Sequence, residues 1–240
     1  MLRIMSDLQA ISRFAARRIC EVARCSVRKH RKFIWVLSGG NTPVATYKIL
    51  ASEPYRNCEL WATTHVYWGD ERWVAPDRPE SNYGTAKSSM LDFVAIPRGQ
   101  IHPIATEMKT PVDAARSYEK IFPPQSDLLM LGMGADGHTA SLFPHSPALE
   151  EARRLLAVSQ APAEPRVRIT ITAAGIKSAR NILVMASGRD KAEALRRVFA
   201  PEGSIGETPA RLAREAVWLV DRLAASKINP TEMGAVTEEE

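Results

Sequence analysis

The sequence predicts one α/β domain organised on a largely parallel sheet with helices on both faces. Two observations carry that expectation. Apolar runs of strand length (Phe33 to Leu37, Leu128 to Leu131, Ile182 to Met185) each run straight into a glycine-bearing turn. Stretches of helical periodicity lie between the runs, and strands that alternate with helices argue a parallel sheet covered on both sides. The 240 residues are enough for one sizeable core.

Taken in order, Ile4, Leu8, Ile11, Ala15, Ile19 and Val22 recur at steps of three and four, so residues 5 to 28 read as an amphipathic helix. Its other face carries Arg13, Arg17, Arg18 and Arg24, a solvated surface. The strand Phe33 to Leu37 leads into Ser38-Gly39-Gly40-Asn41-Thr42-Pro43 and a helical pattern from Val44 to Leu50. Thr42 suits the cap and Pro43 the first helical position. Glycines between a strand and a helix N-terminus present free N–H groups to an anion, which points to phosphate binding at Ser38, Gly39, Gly40 and Asn41. A second strand, His65 to Trp68, ends in Asp70-Glu71-Arg72, and the fork of donors on Arg72 can hold an oxyanion. Residues 73 to 110 read as a long, partly helical connection, a kind of segment that often carries function. A helix over Ala114 to Ile121 stops before Pro123 and Pro124. Strands at 155–158 and 167–171, a helix over Ala173 to Ala179, the strand Ile182 to Met185 and a helix reaching Phe199 follow. Lys191, in the first turn of that last helix, opposes the helix dipole and hints at an anionic ligand. A strand from Ala216 to Val220 and a short helix from Asp221 to Ser226 close the domain, 1–226. Residues 227 to 240 read as a disordered tail.

The stretch richest in chemistry is Asp127 to Pro144, DLLMLGMGADGHTASLFP. Asp136 and His138 fall at the C-terminal end of its strand, the edge where open parallel sheets bind ligands. A histidine there, two residues beyond a carboxylate, suits a general base. Gly132, Gly134 and Gly137 spell the dinucleotide fingerprint, but Pro144 and Pro147 cut short the helix that fingerprint needs, so the nucleotide reading is rejected.

Composition narrows the partners. A net charge of +5, spread along the chain, suits an anionic small molecule better than nucleic acid. No run reaches the ~18 apolar residues of a membrane span. Cys20, Cys25 and Cys58 lack zinc-site spacing and read as buried or half-buried thiols in a reducing, cytoplasmic setting. No His, Cys and Asp cluster has metal-ligand spacing, so no metal is expected.

LSGGNTP (37–43), WGDERWV (68–74), SNYG (81–84), LGMGADGHTASLFP (131–144), RITIT (168–172) and SGRDKAEAL (187–195) occur in an order that resembles the 6-phosphogluconolactonase family. The resemblance spans about residues 5 to 226. It departs from the family's pattern at Asn41, usually serine, and at Ala75, commonly proline. It implies a Rossmann-like sheet shared with glucosamine-6-phosphate deaminase, and hydrolysis of 6-phosphoglucono-1,5-lactone without cofactor or metal, in a monomer or weak dimer. On it, Arg168 and Lys191 join Gly39 and Gly40 in holding phosphate. His138 is then the base that activates water and Arg72 the oxyanion donor, with Asp70 and Asp136 orienting Arg72 or His138. Two other readings stay open. A deaminase-isomerase resembles the chain through the DGH block but carries a glutamate five residues after its histidine, where Phe143 stands here. A non-catalytic sugar-phosphate sensor would carry a DNA-binding segment, for which no room precedes the first strand.

Overall fold

The computed structural model describes residues 1–229 and 235–237. Its strands are β1 (Leu2–Met5), β2 (Phe33–Leu37), β3 (Thr64–Trp68), β4 (Asp70–Arg72), β5 (Ile101–His102), β6 (Leu128–Gly132), β7 (Leu156–Gln160), β8 (Val167–Ile171), β9 (Ile182–Ala186), β10 (Val217–Asp221) and β11 (Val236–Thr237). The helices are α1 (Leu8–His30), α2 (Val44–Leu50), α3 (Asn82–Ala86), α4 (Pro111–Glu119), α5 (Ala173–Ser178) and α6 (Ala192–Phe199). Eight strands form one sheet in the order β11-β1-β10-β9-β6-β2-β3-β5, every pair parallel. Its central strands are buried at successive positions: Leu128, Leu129, Met130 and Leu131 on β6 are all inaccessible. Such a run is the mark of a sheet covered on both faces.

The N-terminus departs from the expected helix over 5–28. Leu2 to Met5 leave the helical pattern and pair with β10, Leu2 opposite Trp218. Asp7 then caps α1, its carboxylate accepting from the Ala10 N–H at 2.8 Å. The helix ends at Arg31, in the left-handed region at φ 65°, whose N–H returns to the Val27 carbonyl. Arg28, Lys29 and His30 sit in the last turn, where positive charge complements the dipole. In α2 it is Pro43 that occupies the cap position, with no side-chain bond, so Thr42 is released to the loop.

The larger correction concerns 155–171. These strands exist, but they pair antiparallel with each other, and β8 pairs antiparallel with β4, in a separate three-stranded sheet of order β4-β8-β7. Asp70 to Arg72 are therefore a strand of the second sheet and not the end of β3. Gly69 makes the transfer: its N–H bonds the Leu37 carbonyl in one sheet, and its own carbonyl accepts from Ile171 N in the other. At the far end, 221–226 is a series of turns in place of the expected helix. The buried Asp221 carboxylate organises it, accepting from Ser187 Oγ (2.6 Å), from Gly188 N and from Ala224 N (2.7 Å). Within the stretch read as a disordered tail, Lys227 pairs with Glu193 at 3.0 Å, and Val236 and Thr237 pair with Arg3 and Ile4. Residues 230–234 and 238–240 of that tail lie outside the described residues. The cysteines are free. Cys20 is buried and burial, chiefly, pushes its thiol up to about 11. Cys25 is exposed, contrary to expectation. Among the described residues no helix is long and apolar enough to cross a membrane.

At the β3–β5 edge, His65 Nδ1 lies 3.4 Å from His102 Nε2, and the His102 ring stacks on Tyr67 at 4.4 Å. Burial lowers the pKa of both, helped by Lys32 at His65 and by His65 at His102. The fold thus favours their neutral forms. Their stabilising contribution is present above the unfolded value of ~6.5 and is lost as pH falls through the depressed folded values. The urea midpoint should drop between about pH 7 and pH 5, and by less in a His65→Gln/His102→Gln variant. An equal drop in both proteins would refute the assignment.

Candidate active site

A cleft of about 370 Å³ opens at the C-terminal ends of β2, β6 and β9. The chain moves outward from β2 to β3 and β5, then returns to β6 on the other side of β2, so neighbouring loops diverge there. Open parallel sheets form their crevice at such a reversal. Ser38 to Thr42 line it from β2, Gly132 to Gly134, His138 and Ala140 from β6, and Ser187, Asp190 and Lys191 from β9. Asp70, Arg72 and Asn82 complete the wall.

The loop after β2 is pinned from below, where the buried Tyr47 hydroxyl donates to the Ser38 carbonyl at 2.7 Å. Gly40 takes φ +80°, a conformation other residues adopt at a cost, and faces open space. Gly39 is there for closeness: a Cβ on it would lie 2.0 Å from Asn82 Oδ1. Lys191, partly covered, sits 2.9 Å from Asp190 at the rim. The glycine loop and the Lys191–Asp190 pair therefore share the wall of one cleft.

The opposite side holds the histidine. His138 Nδ1 lies 2.6 Å from Asp136 Oδ1, which also accepts the His138 backbone N–H at 3.1 Å. Partial burial pushes the Asp136 carboxyl up, but the His138 hydrogen bond and charge outweigh it, so the group stays below its usual range. The carboxylate holds Nδ1–H as donor and leaves Nε2 as the basic nitrogen. Nε2 has no partner among the described residues. Phe143 packs against the ring, centroids 4.6 Å apart.

Asp70 was expected to orient Arg72 or His138, and it bonds neither. Its buried carboxylate accepts from Ser141 Oγ at 2.6 Å and from Asn82 Nδ2 at 3.3 Å. Arg72 is steadied by donating from Nη1 to the Glu80 carbonyl at 2.5 Å. Glu71 turns away from the cleft and accepts from Arg72 N, Ser81 Oγ, Asn82 N and Tyr83 N, fixing the start of α3. Burial raises its pKa despite those bonds. Of the residues expected to form the site, Ser38, Gly39, Gly40, Asn41, Asp70, Arg72, His138 and Lys191 line one cleft. Asp136 stands behind His138. Arg168 does not line the cleft: it is buried opposite Arg72 in the β4–β8 ladder, its Nε without a partner. Burial, then the Arg72 charge, lowers its pKa. Sequence reasoning missed Thr42 and Asn82. The signal for Asn82 was in SNYG, since Ser81 caps α3 and sets the next residue against the glycine loop.

The family described as glucosamine-6-phosphate isomerases/6-phosphogluconolactonase matches residues 6–220. The chain belongs to this family. Within it, a 6-phosphogluconolactonase of Synechocystis is 41% identical over 207 residues, 81% of this chain and 84% of that protein. A solved structure of 6-phosphogluconolactonase from Trypanosoma brucei superposes with TM-score 0.86 at 28% identity, covering 95% of this chain and 98% of that one. A monomeric glucosamine-6-phosphate deaminase, at 20% identity and TM-score 0.80 over 95% and 100% of the two chains, shares the fold.

The contact between Gly39 and Asn82 gives a test of how the wall is built. Asn82 is buried and tied to Asp70, so it cannot yield to an added methyl. Gly39→Ala should destabilise the protein by about 1–3 kcal/mol in urea unfolding. An unchanged midpoint would mean that the two loops do not touch in solution.

Proposed function

We propose that the protein hydrolyses 6-phospho-D-glucono-1,5-lactone to 6-phospho-D-gluconate, the lactonase step of the oxidative pentose phosphate pathway. The observation that carries the mechanism is His138, fixed through Nδ1 by Asp136 with Nε2 unengaged, in a cleft whose other end is suited to an anion. The lactone phosphate lies against the N–H groups of Gly39 and Gly40, beside Ser38, Asn41 and Lys191. Arg168, buried opposite Arg72 in the β4–β8 ladder, adds its charge to that of Arg72. The ring is then directed toward His138.

Nε2 takes a proton from water as the water oxygen bonds the lactone carbonyl carbon. Arg72 donates to the oxyanion of the tetrahedral intermediate, where charge develops. The ring C–O bond breaks, and the imidazolium returns the proton to the departing ring oxygen. Asp136 stabilises that imidazolium. The product carboxylic acid ionises, so one proton leaves per turnover. A lactone is a reactive ester, and general-base help of about 10²–10⁴ with positioning suffices. Among the described residues no group of three His, Cys, Asp or Glu side chains could hold a metal, and the steps above use none. Isomerisation of an amino sugar phosphate calls for a further acid–base group, and the face of His138 carries Phe143 instead. The substrate is a small metabolite, so we place the enzyme in the cytoplasm as a monomer or weak dimer, with no nucleic-acid or membrane partner.

Proton release on adding freshly generated lactone, corrected for spontaneous hydrolysis, tests the activity. The wild-type protein should accelerate it, and His138→Asn should lower kcat by about 10²–10⁴ while the protein stays folded. A folded His138→Asn protein with near-normal kcat would remove the histidine from the mechanism.

The phosphate end has its own test. Lys191→Ala should reduce the kcat/KM preference for the phosphorylated lactone over unphosphorylated gluconolactone, with kcat lowered as well, since remote binding energy serves orientation. An unchanged preference in Lys191→Ala would place the phosphate elsewhere.

A further inference from the structure

The segment that carries His138 has no regular structure, and its apex is held by few bonds. Internally, Gly134 N donates to the His138 carbonyl at 2.9 Å and Gly137 N to the Gly134 carbonyl at 3.0 Å. Gly137, at φ +93°, joins Asp136 to His138 and offers little torsional resistance of its own. The plane of the Asp136–Gly137 peptide, and with it the direction of the Asp136 side chain, must therefore be set by hydrogen bonds. Two hydrogen bonds from outside the segment hold the turn, one on each of the two peptides that flank Gly137. Ala210 N donates to the Gly137 carbonyl at 2.9 Å. Arg197 Nη2, reaching across from α6, donates to the Asp136 carbonyl at 2.9 Å.

Both ties come from one unit. Arg211, next to Ala210, donates from Nη1 to the carbonyls of Arg197 (2.7 Å), Val198 (3.2 Å), Ala200 (2.9 Å) and Glu202 (3.2 Å), clamping the C-terminal end of α6. The backbone that carries Arg197 is thus fixed before its side chain reaches the loop. Arg197 keeps its Nε buried with no partner. A buried donor left unsatisfied is costly, and such costs persist where the rest of the side chain is needed.

We infer that Arg197 is a positioning residue for the reaction: through the Asp136 carbonyl it holds the Asp136 carboxylate where it fixes His138 Nδ1. The inference rests on the lactonase reading for its kinetic test, and it touches neither substrate nor water. A small displacement of Asp136 turns the imidazole and removes Nε2 from line with the carbonyl carbon. Misplacement of a reacting group by ~1 Å can cost on the order of 10²-fold in rate.

The experiment compares wild type, Arg197→Ala and Arg197→Lys, each alone and combined with His138→Asn. Arg197→Ala should lower kcat about tenfold or more with KM within about twofold, because the glycine loop lies after β2 and Lys191 at the other end of α6. Arg197→Lys, which can still donate to the carbonyl, should recover part of the loss. In the His138→Asn background Arg197→Ala should cost nothing further, since residues that act as one unit are not additive. Proton NMR reads the same effect without substrate. The deshielded Nδ1–H resonance of the short His138–Asp136 bond should move upfield or broaden in Arg197→Ala. A folded Arg197→Ala protein with wild-type kcat and an unmoved resonance overturns the inference, as does an equal loss in the His138→Asn background. Should Arg197→Ala not fold, Arg197→Lys decides by the same readouts. A wild type without lactonase activity whose resonance still shifts in Arg197→Ala would defeat the lactonase reading and leave the positioning role standing.

Discussion

The reversal of strand order at β2 and β6 is the constraint on which the rest of the molecule depends. A parallel sheet covered on both faces has no room for polar chemistry on its strands. Polar groups can gather where the strands end, and they gather best where two adjacent loops turn away from each other. Leu37 and Leu131 are buried immediately before Ser38 and Gly132 meet the cleft. The glycine loop and the histidine loop are therefore neighbours by topology, although about a hundred residues of chain separate them.

A second constraint follows from closing that cleft on its open side. The small antiparallel sheet stands against it, and the joint is a buried polar network. Ser141 Oγ donates to Asp70, Ser141 N donates to Thr170 Oγ1 at 3.0 Å, and Ser159 Oγ donates to the Ser141 carbonyl at 2.6 Å. Networks of this kind are rigid when fully satisfied and costly when broken. This one links β4, β7, β8 and the histidine loop, so the segment after His138 is fixed by the second sheet as the segment before it is fixed by the first.

How much of this could be read from residues alone depended on the range of the forces involved. The strands of the main sheet and their glycine turns were legible because burial on both faces leaves long apolar runs and the turns need special residues. Asp70, Arg72 and His138 could be placed in one site because each follows directly on such a strand. The second sheet was not legible as a sheet. Its β4 is three charged or polar residues, and its pairing with β8 is set by partners a hundred residues away. For the same reason Asp70 was assigned the wrong neighbours, and Arg168 looked like a ligand for phosphate when its side chain is buried behind Arg72. Arg197 offered no signal at all, since an arginine in the last turn of a helix is ordinary until the loop it reaches is seen.

The position of β1 has a consequence for how the chain is made. β1 lies between β10 and β11, with Leu2 against Trp218, although more than 200 residues of chain separate it from β10. At ribosomal speeds of ~5–20 residues per second, β1 waits about 10–40 s for β10 to emerge. Until then Leu2 and Ile4, both buried in the finished protein, have no neighbouring strand on that flank. The half of the sheet that carries the glycine loop can assemble early, while the N-terminal flank closes last. Nascent chains of this protein thus carry the apolar strand β1 unpaired until β10 is made, the kind of surface that chaperones near the exit tunnel bind.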